Sequence, residues 1–163
     1  MVFVFGGKGV AAGHGKSKHL PAPVAQTIKE KFPGATVVGF VMEREPGVRY
    51  YEVNLRRGED RIEVEVAPDG SIGEIESRVA LEGLPEAHQA RIREAVVRGK
   101  IHRVEKHVRV GRGRNGTFAP LKSPVGFYDV KYYDGDRRRA VKVPIDPDQI
   151  WVVDDEDDDE QEK

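Results

Sequence analysis

The chain has 163 residues, of which 34% are charged and 38% are hydrophobic, and it has no cysteine. This composition is typical of a well-solvated globular protein, and the lack of cysteine excludes disulfides, thiolate metal sites and cysteine nucleophiles. The net charge of −1 averages two unlike parts: residues 154–163 hold eight acidic side chains and one lysine, which leaves 26 basic and 20 acidic side chains in residues 1–153. The main body therefore carries a moderate net charge of +6.

Residues 1–19 are predicted to be a flexible leader, because residues 6–19 contain five glycines and few hydrophobic side chains. Gly15, Lys16 and Ser17 resemble the end of a phosphate-binding loop. However, Val10 occupies the position of the first glycine, and Pro21 follows where a helix should begin. We interpret this segment as a linker. The apolar run of residues 1–5 is too short for a secretory signal, so no export signal is visible.

The first structured unit is predicted over residues 20–80. Hydrophobic residues recur at every fourth position around Pro21, which predicts an amphipathic helix that Pro33 and Gly34 end. These positions are Leu20, Val24, Ile28 and Phe32. Strand-like runs follow over residues 36–42, 51–55 and 62–66, and the last two alternate strictly, as antiparallel strands with one apolar face do. We expect the helix to cover that face, and residues 71–80 to form an edge strand.

A second unit of the same design is predicted over residues 81–153. Its helix positions are Leu84, His88, Ile92 and Val96, which lie 64 residues after those of the first unit. Its central hairpin is enlarged by thirteen residues around residues 111–116, because Tyr128 lies 77 residues after Tyr51. The predicted fold class is therefore α+β, with two tandem repeats, each a helix packed on an antiparallel β-sheet. Residues 154–163 are predicted to form a disordered acidic tail.

These features together resemble the PepSY-like family in tandem, in a layout similar to the β-lactamase inhibitor proteins. The resemblance rests on Leu20-Pro21 before the helix, Phe32-Pro33-Gly34-Ala35 after it, the strands Tyr50-Tyr51-Glu52-Val53 and Ile62-Glu63-Val64-Glu65-Val66, and the turn Pro68-Asp69-Gly70. It covers about residues 20–153 and is looser in the second unit, where Val96-Val97-Arg98-Gly99 replaces the helix stop. The resemblance implies no catalysis and a periplasmic or extracellular location, with inhibition of peptidases or β-lactamases in some relatives. Some relatives also bind metal ions through acidic side chains, but we find no matching carboxylate cluster in residues 20–153.

A basic stretch in the second unit is the candidate partner-binding site. Arg103, Glu105, His107 and Arg109 alternate with hydrophobic residues and are predicted to share one exposed face of a strand. The candidate residues are Arg103, His107, Arg109, Arg112, Arg114, Phe118, Arg137, Arg138 and Arg139. Such a stripe suits an acidic protein or phosphates, although a simply solvated sheet face fits the same pattern.

No catalytic, cofactor or metal site is predicted. No serine, histidine and aspartate spacing indicates a triad, and His88 is best interpreted as a packing residue on its helix. His102 and His107 lie five residues apart in one predicted strand, which places them on opposite faces and excludes a shared metal.

The predicted function is a non-catalytic binding module for another protein, inhibitor-like toward a peptidase or other hydrolase. The alternatives are polyanion or nucleic-acid binding by the basic hairpin and metal-ion binding by the acidic tail, which lacks the spacing of a calcium loop. We also hypothesise that the tail screens Arg112 and residues 137–139 from polyanions, so that deletion of residues 154–163 raises retention on heparin. No apolar run is long enough for a membrane span, which needs about 20 residues.

Overall fold

The computed structural model describes residues 19–148. Seven strands are present in this part of the chain: β1 (Thr36–Glu45), β2 (Val48–Arg57), β3 (Asp60–Val66), β4 (Ile72–Val79), β5 (Lys100–Arg114), β6 (Thr117–Asp134) and β7 (Arg137–Pro144). The helices are α1 (Ala22–Lys31) and α2 (Glu86–Ala95), and a short 3₁₀ turn spans Leu81–Gly83. The predicted acidic tail and residues 1–18 of the predicted leader lie outside the described residues.

The seven strands form one antiparallel sheet in the order β1-β2-β3-β4-β5-β6-β7. The predicted fold class, α+β with two tandem helix-on-sheet repeats, is therefore wrong, because most of residues 19–148 lie in this one sheet and two α-helices accompany it. β4 was expected at an edge, but it pairs with β5 through six residue pairs, from Glu74↔Arg109 to Val79↔Val104. An edge strand leaves a row of backbone N–H and C=O groups without partners, and this ladder satisfies them. The two halves are thereby joined into a single sheet.

Both helices cover the same face of the sheet. Val24 and Ile28 of α1 pack into one hydrophobic cluster and Ile92 of α2 into another. Ile75 packs against the first cluster and Val79 against the second. These two residues are four apart in β4, so they point to the same side. We call this side the helix face, and the opposite side, which bears Asn54, Glu63, Glu76, His107 and Lys131, the polar face.

The helix positions follow the predicted spacing. Val24 is 0% exposed, Ile28 is 4% exposed and Phe32, at the end of α1, is 8% exposed. Each helix follows a proline, Pro21 or Pro85. The fixed φ of proline is compatible with a helix start, and the N–H group that proline lacks would have no partner in the first turn anyway. None of the helices among residues 19–148 is both long and apolar enough to cross a membrane.

The enlarged hairpin of the second half is formed by β5 and β6, with 15 and 18 residues. Its tip packs back onto the first half of the chain, where the Gly116 amide donates to the Gly47 carbonyl at 2.7 Å. Glycine is required at the point of closest approach. A Cβ at Gly73 would lie 2.4 Å from the Phe118 ring, and one at Gly111 would lie 2.4 Å from the Ile72 carbonyl oxygen.

Candidate functional site

The polar face carries a row of side chains that crosses the middle of the sheet. The strand register places Asn54 beside Glu63, Glu63 beside Glu76, Glu76 beside His107 and His107 beside Phe127. Side chains of successive residues alternate between the faces of a sheet, so hydrophobic neighbours in each strand point to the helix face instead. The polar face is therefore the surface on which chemically varied side chains converge.

His107 lies at the centre of this row, between two carboxylates. Its Nδ1 is 2.6 Å from Glu74 Oε1. Its Nε2 is 2.8 Å from Glu76 Oε1, but no hydrogen bond of good geometry joins those two atoms, so this second contact is an ion pair. Arg109 binds the other oxygen of Glu74, with Nε and Nη2 both 2.9 Å from Oε2. Glu74 thus has a cation on each oxygen.

The pKa values in this cluster follow from the pairing. Burial alone would lower the pKa of His107, but the hydrogen bond to Glu74 and the charges of Glu74 and Glu76 raise it to about 9. Burial alone would raise the pKa of Glu74, but the hydrogen bond from His107 and the charge of Arg109 keep it below its usual value. His107 is therefore an imidazolium at neutral pH, and Glu74 is a carboxylate.

A second ion-pair group lies next to the first. Glu105 is 6% exposed, and its two oxygens pair separately with Arg103 and with Lys131, whose Nζ is 2.6 Å from Oε2. The expectation that Glu105 and His107 lie on a solvated face was therefore wrong, since both are buried. Arg103 and Arg109 remain exposed on the same face.

The sequence search missed the clustering of Glu76, Glu105 and His107, whose ligand-type atoms lie within 4.8 Å of one another. The signal lies in the β4–β5 register, which places Glu76 opposite His107, and that pairing was not predicted. The cluster does not favour a metal ion. Arg103 and Lys131 already neutralise Glu105, and Glu74 and Glu76 raise the pKa of His107, so a metal ion would have to displace these cations and a proton. We assign the cluster a structural role.

An aromatic residue ends the row. The Phe127 ring stacks on the His107 imidazole at a centroid distance of 4.5 Å and an interplanar angle of 12°. Lys142 lies over the Phe127 ring, with Nζ 4.8 Å from the centroid. Phe127 is only 2% exposed, so it supports the charged cluster from the β6 side.

The hairpin tip buries another predicted partner residue. Phe118 is 5% exposed and packs with Val48, Tyr50 and Ala67 in a cluster on the polar side of the sheet. Beside it, Asp69 accepts hydrogen bonds from Ser71 and Thr117. Burial alone would raise the pKa of Asp69, but these hydrogen bonds lower it. Burial and the charge of Glu65 raise the pKa of Tyr50. The tip is therefore part of the fold, and Phe118 is not exposed to a partner.

The remaining predicted partner residues form two separate groups. Arg112 and Arg114 lie at the hairpin tip, where they face Ala119 and Thr117. Arg137, Arg138 and Arg139 begin β7 and pair with the end of β6. Lys100 lies at that end of β5, and Arg112 lies twelve residues further along the chain. Twelve residues of strand span roughly 40 Å. The structure does not bring the two arginine groups together.

Two further histidines have local partners. His88 on α2 is half-buried, and its Nδ1 lies 2.8 Å from the Tyr128 hydroxyl, in agreement with the predicted packing role. His102 sits at a bulge between Ile101 and Arg103, and its ring lies 4.9 Å from that of Tyr133.

The comparisons with known proteins concern the fold. The chain matches no protein-family model and no curated protein sequence. It is similar to the structure of a DUF2874 family protein from Bacteroides uniformis, with a TM-score of 0.56 and 12% identity over 76% of this chain and 81% of that chain. A BLIP-like protein from Bacteroides fragilis gives a TM-score of 0.47 and 17% identity over 80% and 92% of the two chains. A protein from Bacteroides eggerthii, provisionally described as periplasmic, gives a TM-score of 0.48 and 15% identity over 76% of this chain and 90% of that chain.

At these identities the similarity concerns the fold alone. The DUF2874 protein supports an antiparallel sheet of this general kind, whereas the two scores below 0.5 are too low to support an inference about function. Membership in the PepSY-like family is not confirmed, because no family model matches the chain.

Proposed function

We propose that this protein is a non-catalytic protein-binding module that presents the polar face of its sheet to a partner. The observation that carries the proposal is the asymmetry of the sheet. Both helices pack on the helix face. Among residues 19–148, the element that packs onto the polar side is the hairpin tip around Phe118, at one end of the sheet. Among the described residues, no helix covers the rest of that face.

The polar face is large enough for a specific interface. Seven strands at a spacing of about 4.8 Å span about 29 Å, and seven residues of strand add about 23 Å, which gives roughly 700 Å². One partner in a standard interface buries about 800 Å². The face alone therefore supplies most of the area that a stable complex needs.

The charged side chains on this face are also held in place before a partner arrives. Glu74 holds the exposed Arg109, and Glu105 holds the exposed Arg103 and the partly exposed Lys131. Ordering long side chains on binding costs about 0.5–1.5 kcal/mol for each one. A surface with its charges already positioned avoids much of that cost, which favours recognition of a complementary protein.

Polyanion binding is less well supported. The arginines at positions 112, 114 and 137–139 form two groups at opposite ends of the β5–β6 ladder, and several glutamates lie on the polar face between them. They include Glu63, Glu65, Glu74, Glu76 and Glu105. A continuous phosphate backbone would meet these carboxylates. Metal binding by the acidic tail and its screening of the arginines concern residues outside the described part of the chain.

A matched pair of substitutions tests the proposal. Ala140 is exposed on the polar face and Ala90 is exposed on α2, so Ala140→Arg and Ala90→Arg add the same side chain to opposite faces. In cross-linking and capture from the native cell extract, we expect A140R to lose the partners that wild type retains and A90R to keep them. Loss with A90R and retention with A140R would place the interface on the helix face.

We further propose that the protein inhibits a hydrolase and is exported from the cytoplasm. Both proposals rest on the PepSY-like resemblance. We expect cell fractionation to find the mature protein outside the cytoplasm. Peptidases and β-lactamases from the same fraction should be inhibited by wild type and A90R, but not by A140R. If no hydrolase is inhibited while the A140R difference in capture persists, the protein is a binding module without inhibitor activity.

A further inference from the structure

We propose that the polar face recognises a carboxylate of its partner, in an arginine pocket formed by Arg56, Arg61 and Arg78. This inference rests on the proposed function and names the chemistry of the partner. The three residues line a cavity of about 350 Å³ that opens on the polar face. Ligand pockets in proteins range from about 300 to 1,000 Å³, so the cavity has room for one or two side chains.

The three arginines come from three adjacent strands. Arg56 of β2 faces Arg61 of β3 directly. Ile62 of β3 pairs with Ser77 of β4. Because the two strands are antiparallel, the neighbours of this pair, Arg61 and Arg78, also lie beside each other. Leu55 and Ile62 are buried in the hydrophobic cluster under α1, so alternation turns all three guanidinium groups to the polar face.

This arrangement concentrates positive charge. Like charges directly opposite each other, such as those of Arg56 and Arg61, destabilise a pair of strands. Glu105 lies opposite Arg78 in the β4–β5 register, but the ion pairs of residues 19–148 involve none of the three guanidinium groups. By contrast, Arg103, which lines the same cavity, pairs with Glu105. A guanidinium binds a carboxylate through two parallel hydrogen bonds, so an acidic side chain would satisfy these groups.

Two other features of the cavity define the ligand further. Its wall includes Val38, which is 68% exposed and suits an apolar side chain of the ligand. Its lining also includes Glu63, Glu76 and Glu105, which repel a ligand with several negative charges in succession. A single carboxylate beside an apolar side chain therefore fits better than a phosphate backbone. The ligand class is an acidic segment of a protein, with aspartate or glutamate next to a hydrophobic residue.

Side-chain NMR of the full chain tests this pocket directly. The probe is the acetylated and amidated peptide Gly-Leu-Glu-Leu-Gly, and its controls are the glutamine and phosphoserine analogues and inorganic phosphate. We expect saturable shifts of the Nε–Hε signals of Arg56, Arg61 and Arg78 with the glutamate peptide and none with the glutamine peptide. Arg78→Ala should weaken binding about tenfold, as loss of a charge-assisted pair does, and Arg98→Ala, at an exposed site outside the cavity, should not.

Several outcomes would overturn the inference. It fails if the glutamate and glutamine peptides bind equally, if R98A weakens binding as much as R78A, or if phosphate or the phosphoserine peptide binds more tightly than the glutamate peptide. The proposed function is tested separately by A140R. If A140R abolishes capture of partners and R78A leaves both capture and peptide binding unchanged, the polar face is the interface but the arginine pocket is not its anchor.

Discussion

His107 shows how a single residue supports the polar face. It is 8% exposed, yet it remains charged because Glu74 and Glu76 lie on either side of the imidazole ring. Leaving a buried carboxylate without its cation costs far more than the pair itself contributes, since the remaining charge has lost its water. The cluster therefore makes stability depend on the protonation of His107.

This dependence has a definite sign. The pKa of His107 is about 9 in the folded protein and near 6.5 in an unfolded chain. A raised pKa contributes stability that is fully present below pH 6.5 and is lost as the pH rises through about 9. After allowance for solvent screening, we expect the free energy of unfolding of wild type to fall by about 2 kcal/mol over this window. Urea unfolding at intervals between these pH values measures it.

The substitution His107→Gln should remove this slope and lower stability at the acidic end of the window by about 2–3 kcal/mol, because Glu76 loses its cation. His102→Gln is the matched control, since His102 contacts Tyr133 and no carboxylate pairing of its ring is seen in residues 19–148. Retention of the pH slope in H107Q, or its loss in H102Q, would show that another group is responsible. Glu74 acts in the opposite direction: its lowered pKa contributes stability that is lost in acid.

The arginine pocket gives a second residue-scale prediction. Because Arg56 and Arg61 oppose each other without acidic partners, Arg61→Thr should raise the free energy of unfolding by about 0.5 kcal/mol at low salt and by less at high salt. A double-mutant cycle with Arg56→Thr isolates the repulsion from the strand preference of threonine. A coupling energy of zero would mean that the two guanidinium groups do not repel each other in the free protein.

At the scale of elements, the β5–β6 hairpin connects the halves of the sheet. Phe118→Ala removes an aromatic ring from a cluster that otherwise contains Val48, Tyr50 and Ala67. We expect a loss of about 3 kcal/mol in the free energy of unfolding, as is usual for a buried phenylalanine. Hydrogen exchange at the Gly116 amide, which bonds to Gly47, should also accelerate.

Val97→Ala is the control for this substitution, because Val97 is 82% exposed and should change stability by less than about 0.5 kcal/mol. If F118A accelerates exchange throughout the sheet as strongly as at Gly116, the tip is not a locally docked element. If neither stability nor exchange changes, the packing of Phe118 contributes little to the fold.

The elements themselves could be predicted from local patterns. The spacing of Val24 and Ile28, and the alternation of Val53 and Leu55 with polar residues, depend only on neighbours within one helix or strand. Gly47 has φ of 81°, as its position in the Glu45-Pro46-Gly47 turn requires. The partner of β4 could not be predicted, because pairing between residues 74–79 and 104–109 joins two strands that α2 separates in the sequence.

The candidate site was likewise predictable only where it depends on the pattern within one strand. Arg103 and Arg109 were predicted on one exposed face from alternation alone. The burial of His107 was not predicted, because it depends on Glu74 and Glu76 from β4 and on Phe127 from β6. The opposition of Arg56 and Arg61 was within reach of the sequence, since both lie between the strand-like runs predicted over residues 51–55 and 62–66. Arg78 joins them only through the β3–β4 register.

At the scale of the whole molecule, several kinds of contact cross the boundary between the sequence units at residues 80 and 81. They include the β4–β5 ladder, the ion pairs from Glu74 and Glu76 to His107 and Arg109, the packing of Phe118, and the hydrogen bonds of the hairpin tip to Gly47 and Asp69. A unit of about 60 residues buries only about 60% of its unfolded surface and is marginal alone. Without the other half, β4 or β5 would also become an edge strand with one side unpaired.

We therefore expect the full chain to unfold in one cooperative transition, and fragments 1–80 and 81–163 to be unfolded separately but to refold when mixed. Circular dichroism and amide NMR dispersion of each fragment and of the mixture measure this. A full-length chain cut at an engineered protease site at the exposed Gly83 is the control, because it breaks the backbone while both halves stay together. A dispersed spectrum and cooperative unfolding of fragment 1–80 alone would contradict the expectation. That result would mean that the six β4–β5 residue pairs join two independently stable halves.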